Sequence, residues 1–496
     1  MIKLKLIITS KANLTLKYGS QFTAVKQLFT KLIAADKKNK LTTKVIYIDD
    51  AASTKPFGIS SVKKLKEKEC KDFVDALYKK QNPAYIVIFG AQDVFPFQEL
   101  TNNVYKPGDD DDQTVPSDLP YACDSPYSKK ISGFVNPVRV VGRIPDIPGA
   151  TDISYLKLLF NNIIVQKPKP LADYEKYFAV TALVWENSTQ QSINNIFGNY
   201  TGLLNSPPAM GGYSKKQLSP LSHFYNCHGG LLDTNYYGQK GAAYPIALKA
   251  KNLTNKISYG TVVAAECCYG VQLMDPVTDG FSIASNYLQN NALSFMGSST
   301  IAYGPAKGQG LADLICQYFM INVHAGASAG RALLEARQKF LNTCGPYLDP
   351  YELKTLAQFY ILGDPSLQLV EDVKDKSGSN TVENRRLNLF SKGISIGQSV
   401  APSEKVKTIA KTKHKSDMSS ILNETGFKKN LTESVYEAHF SSKTTGEIKK
   451  GMQGGKTRFR TYQKSRKKQN GLLNIEVLVV KENDEQVLGY KVYVSR

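Results

Sequence analysis

The chain has 496 residues, 42% of them apolar, and carries 63 Lys plus Arg against 43 Asp plus Glu, a formal charge of +20. That length exceeds one hydrophobic core and implies roughly two to four domains. The apolar content excludes a disordered chain, and no uncharged apolar run reaches the roughly 18 residues that a bilayer span needs, so no membrane association is expected. Seven cysteines, an odd number without framework spacing, fit a reducing compartment. No Cys-x-x-Cys or His-x-x-x-His pattern offers a zinc ligand set.

From the N-terminus, Met1–Thr9 alternates like a first strand and has neither an apolar signal core nor a small-residue cleavage site, so a cytoplasmic location is expected. Ile2–Thr9, Thr43–Asp49, Ala84–Gly90 and Pro137–Gly142 read as strands, with amphipathic helices near Gln21–Ala34 and Val62–Lys79. A second set follows. Strands are expected near Tyr177–Val184, Ser222–Cys227, Thr261–Ala265 and Leu293–Met296, and helices near Asp152–Val165, Phe281–Asn290, Leu311–Val323 and Ala329–Leu341. Strands alternating with helices imply a parallel sheet covered on both faces. The expectation is an α/β catalytic unit of two such subdomains, residues 1–165 and 166–370.

Two of these strands end in reactive side chains. His-Phe-Tyr-Asn-Cys-His-Gly-Gly (223–230) and Val-Val-Ala-Ala-Glu-Cys-Cys-Tyr-Gly (262–270) are apolar runs that stop at a His or Cys pair and a glycine turn. In an open α/β sheet, ligands bind beyond the carboxyl ends of the strands, so neighbouring strands of this kind place His228 and the cysteines in one crevice. A thiol is only a few per cent thiolate at neutral pH, and a histidine within reach would activate it. The same residues also suit an inert strand pair with a buried cysteine and a satisfied histidine.

The order of these motifs resembles the clan of caspases, legumains, clostripain and gingipains, and the match extends best to gingipain-like cysteine peptidases. Three further segments carry it: Tyr-Ile-Val-Ile-Phe-Gly-Ala-Gln-Asp-Val-Phe-Pro (85–96); Ser-Asp-Leu-Pro-Tyr-Ala (117–122) leading to Val-Gly-Arg-Ile-Pro (141–145); and Ile-Leu-Gly-Asp-Pro-Ser-Leu (361–367). The resemblance implies a caspase-like fold and a cysteine endopeptidase acting through a Cys-His dyad on a peptide or protein substrate bound as an extended strand. Spacing to Gly270 in most of the clan selects Cys267 as nucleophile, whereas the caspase spacing selects Cys268. His228 would be the base, and the amides of Gly229 and Cys267 would form the oxyanion hole. Glu266 stands where Ala is usual, and a carboxylate there would raise the thiol's pKa. That departure keeps a second reading open, an inactive fold serving as a binding module for an acidic partner or nucleic acid.

Other polar residues are candidates for the pocket or for orienting the base: Asp118, Glu186 and Glu266, with Trp185 beside them as core or crevice lining. The run Asp109–Asp112 reads as a solvated loop, a neutraliser of a basic substrate or a calcium site; no other cofactor is expected.

Beyond residue 370 the composition shifts, with 25 Lys plus Arg against 14 Asp plus Glu in residues 371–496. Residues 371–420 read as a linker, and 421–496 as a small basic α+β or β-rich domain ending in a hairpin of Leu472–Val480 and Val487–Val494. Lys-Gly-Met-Gln-Gly-Gly-Lys-Thr (450–457) fails as a phosphate loop, because it lacks the first glycine and precedes a strand-like pattern instead of a helix. The basic stretch Lys449–Lys468 is either a solvated loop, a site of proteolytic maturation or a surface for an acidic regulatory partner.

Overall fold

The computed structural model describes residues 3–345, 347–371, 414–427, 431, 433–437, 439–440, 457–467, 472–483 and 486–496. Most of the expected linker and of the phosphate-loop-like stretch lies outside them. Nine strands and one late arrival form the central sheet: β1 (Lys3–Thr9), β2 (Leu41–Tyr47), β3 (Tyr85–Phe89), β4 (Val141–Ile144), β5 (Tyr177–Ala182), β6 (Leu203–Ser206), β7 (Ser222–Asn226), β8 (Thr261–Ala265), β9 (Ala292–Ser298) and, past a short β10 (Tyr303–Pro305) outside the sheet, β11 (Phe359–Gly363). Their order is β2-β1-β3-β4-β11-β9-β8-β7-β5-β6. Each set of five is internally parallel, and the two sets meet antiparallel where β11 pairs with β9.

Alternation explains the layering. In β1, Leu6 and Ile8 pack with Phe73, Val74 and Leu77 of the helix Glu67–Gln81, while Ile7 joins the core containing Leu28, Phe29 and Leu32 of the helix Phe22–Lys38. Strands buried on both faces read as continuous apolar runs, which is why they are legible in sequence. The expected strand at Pro137–Gly142 is displaced to Val141–Ile144. β11 lies within 166–370 by sequence yet bonds to β4 of the first set.

Ion pairs join distant segments in this sheet. Lys5 is fully buried between Asp364 (2.7 Å) and Asp36 (2.6 Å), linking β1 to the turn after β11. Arg143 on β4 donates through two nitrogens to Asp118 (2.9 and 2.6 Å) and also to the carbonyls of Gly90 and Phe95. Removing one partner of such a buried pair costs about 3–5 kcal/mol. The sequence landmarks at 90–96, 117–122, 141–145 and 361–367 are therefore structural joints.

The C-terminal region adds β12 (Glu433–Glu437), β13 (Arg458–Lys467), β14 (Leu473–Glu482) and β15 (Val487–Ser495). They form an antiparallel sheet in the order β10-β15-β14-β13-β12, so a strand from the α/β portion completes its edge. The expected hairpin is β14–β15. Within the described part of the basic stretch, Arg460 pairs with Glu482 and Glu433, and Lys464 with Glu476.

Candidate active site

β7 and β8 are adjacent and parallel, with Ala265 opposite Tyr225 and the Glu266 N–H donating to the Tyr225 carbonyl (2.8 Å). Continuing that register sets Cys267 beside Cys227 and Cys268 beside His228, and successive side chains face opposite ways. Cys267 is accordingly turned into the interior against Cys227, where burial and the neighbouring thiol push its pKa well above the usual value. Cys268 faces the other way. The Ala302 N–H reaches its sulfur (3.2 Å), and its thiol donates to the backbone oxygen of Arg496. Gly229 presses on this turn so closely that a Cβ there would overlap the Cys268 carbonyl oxygen.

His228 is fixed by backbone bonds in both directions with Tyr237 (2.8 Å each). Its Nε2 lies 2.7 Å from Oε1 of Gln239. An amide oxygen only accepts, so Nε2 carries the proton and Nδ1 is the basic nitrogen of the neutral ring. Gln239 is held in turn by donation to the Gly241 carbonyl (3.1 Å). The imidazole lies between the rings of Trp185 (4.4 Å) and Tyr244 (5.1 Å).

Beside the thiol is an acidic pocket. Asp313, in the first turn of the helix Leu311–His324, accepts from Ser188 (2.7 Å) and from Nη2 of Arg496 (3.0 and 3.2 Å). The Arg496 guanidinium lies 4.5 Å from the Trp185 ring centroid, a cation–π arrangement. On its other side a Cβ at Gly304 would overlap the guanidinium, so that position takes no larger residue. Burial and the charge of Asp313 hold the Glu266 carboxyl well above the usual carboxylate range, with Arg496 opposing them.

The remaining candidates are elsewhere. Asp118 is committed to Arg143, so it neither orients His228 nor lines the pocket. Glu186 accepts from Gln190 (3.2 Å) and Asn205 (2.7 Å). In the acid run, Asp110 binds Lys354 (2.5 Å) and the Tyr303 hydroxyl (2.8 Å), and Asp112 accepts from the Ile301 N–H (2.8 Å) and the Tyr269 hydroxyl (2.8 Å). These carboxylates brace the loop that carries β10 and are not a solvated run. Among the described residues no group of three or more His, Cys, Asp or Glu is placed to hold a metal, and no helix is long and apolar enough to cross a membrane.

Sequence reasoning missed Gln239, Asp313 and Arg496. Only Asp313 left a local signal, a lone acid in the apolar run Leu-Ala-Asp-Leu-Ile-Cys (311–316).

The sequence profile described as Peptidase family C25 matches residues 5–370. No curated protein matches the chain. A solved structure described as "Structure of Protease" superposes with a TM-score of 0.48 at 13% identity, over 99% of this chain and 97% of that one, a likeness too slight to bear on function.

Proposed function

The chain belongs to peptidase family C25 and is a cysteine peptidase; we propose that it cuts the peptide bond following an arginine, with Cys268 as nucleophile and His228 as base. One observation carries the reading: the Arg496 backbone oxygen meets the Cys268 thiol while its guanidinium fills the pocket of Asp313, Glu266 and Trp185. A substrate arginine would present its carbonyl to the thiol and its guanidinium to the acidic pocket in the same way.

In this mechanism Nδ1 of His228 takes the thiol proton and the sulfur attacks the arginine carbonyl carbon. The oxyanion is held by the amides of Gly229 and of the nucleophile. The tetrahedral adduct collapses to a thioester as the imidazolium returns the proton to the leaving amine. Water activated by the same nitrogen then hydrolyses the thioester, releasing the arginine carboxylate and restoring the thiol. Glu266, held toward its neutral form, does not oppose thiolate formation as a charged neighbour would. Cys267, favoured by spacing to Gly270, faces away and has a packing role.

Hydrolysis of arginyl and lysyl reporter peptides tests this in chains that also carry Arg496→Ala, so that the pocket is vacant. Cys268→Ala and His228→Ala are each expected to lower the arginyl rate by more than about 10³-fold, with Cys267→Ala close to its parent. Loss in Cys267→Ala with activity kept in Cys268→Ala would reverse the assignment of the nucleophile.

A further inference from the structure

The edge strand β10 of the peptidase portion does not end the C-terminal sheet passively. Tyr303, Gly304 and Pro305 pair antiparallel with Ser495, Val494 and Tyr493. The ladder is extended by the Ala306 N–H on the Val492 carbonyl (2.9 Å) and the Arg496 N–H on the Ala302 carbonyl (2.9 Å). Adding a strand to an exposed edge is a general way for a protein to hold an extended peptide. Here that edge is taken by the chain's own residues, and the ladder delivers Arg496 to the thiol and the acidic pocket.

The fit extends upstream. The Tyr493 hydroxyl donates to Asp349 (2.6 Å), its ring lies 5.7 Å from that of Tyr351, and the Ser495 hydroxyl bridges the Ile475 N–H (2.9 Å) and the Leu473 carbonyl (3.0 Å). Asn474 reaches Tyr244, the ring beside His228, and the Leu472 side chain lies over Gly230. With this cover in place Arg496 is 1% exposed, His228 2% and Cys268 4%.

We propose that Tyr493–Arg496 occupies the catalytic cleft in the manner of a bound substrate strand, so that the chain is inhibited by its own strand β15 until that strand is withdrawn. The proposal rests on the assignment of Cys268 and of the arginine pocket made above. Burial beneath the strand pushes the Cys268 thiol up to about 12, which agrees with a covered and unreactive nucleophile.

The test is iodoacetamide labelling of Cys268 read by mass spectrometry, because it reports cover whether or not the enzyme turns over. In Arg496→Ala the pocket loses its occupant, and labelling of Cys268 is expected to rise at least about tenfold over the unaltered chain. Arg496→Lys, which keeps the cation but not the planar stack on Trp185, is expected to fall between them. The fully buried Cys70 and Cys123 report unfolding; should they also react in Arg496→Ala, Arg496→Lys becomes the variant compared with the unaltered chain. Equal labelling of Cys268 in the unaltered chain and in the folded variant would overturn the proposal. Faster labelling without arginyl hydrolysis in any variant would sustain the cover and instead remove the proposed cleavage.

Discussion

Gln239 decides which nitrogen of His228 is basic, because its Oε1 accepts the Nε2 proton and leaves Nδ1 with the lone pair. In chains that also carry Arg496→Ala, Gln239→Ala is expected to lower kcat about tenfold or more with KM little changed. Gln239→Glu places a carboxylate against the ring and favours the imidazolium, so the acid limb of the pH–rate profile should move to higher pH. A glutamine that only packed would leave that limb where it was. The pocket acid yields a second expectation at this scale. In chains that also carry Arg496→Ala, Asp313→Asn removes the buried partner of a substrate guanidinium, a loss of about 2–5 kcal/mol, read as lower kcat/KM for arginyl peptides and a smaller arginyl-to-lysyl ratio.

At the level of elements, β7 carries a buried hydrogen-bonded cluster. The Tyr287 hydroxyl contacts Nδ1 of His223 (2.7 Å) and the Pro220 carbonyl lies 3.0 Å from its Nε2, while the Tyr225 hydroxyl adjoins that of Tyr287. The carbonyl accepts from Nε2–H, so in the neutral ring Nδ1 accepts from the Tyr287 hydroxyl. Burial lowers the His223 pKa from 6.5 to about 3. The unfolded chain therefore binds a proton in that window that the folded chain refuses. The stability contributed is fully present above about pH 6.5 and is lost as the pH falls toward 3, several kcal/mol in all. Urea unfolding followed across this range should show the slope in the unaltered protein and a shallower one in His223→Gln.

The same elements show what sequence can reveal. β7 and β8 were legible because both faces are buried and the apolar runs are unbroken until His228 and the cysteine pair. Which way each cysteine turns was not, because it depends on the register between two strands, and one residue of register exchanges the faces. The Asp109–Asp112 run misled for a related reason: its partners Lys354, Tyr303 and Tyr269 are more than 150 residues away in the chain. Arg496 left no signal at all, since one basic residue after a strand is ordinary until β15 is paired with β10.

For the whole molecule, among the described residues Arg460, Lys464, Lys491 and Arg496 of the C-terminal sheet pair with acids of the chain itself. Lys491 of β15 donates to Glu352 (2.7 Å) and lies 3.9 Å from Asp349, both in the cap and first turn of the helix Pro350–Gln358. Both carboxylates are buried, and Gln463 bonds the Tyr351 hydroxyl on the same helix (2.7 Å). This contact shares no residue with the arginine pocket, although Lys491 lies on the same strand as Tyr493, so it tests whether the sheet and the cover move together. Lys491→Met keeps much of the aliphatic stem but leaves two buried carboxylates without their cation, a cost of about 3–5 kcal/mol if the sheet stays docked. Undocking relieves that cost by returning Asp349 and Glu352 to water. Labelling of Cys268 should therefore rise in Lys491→Met although Arg496 and every pocket residue are intact, and arginyl hydrolysis should rise with it. If instead Lys491→Met lowers the melting temperature and leaves Cys268 covered, the strand holds the cleft on its own and the rest of the sheet merely carries it.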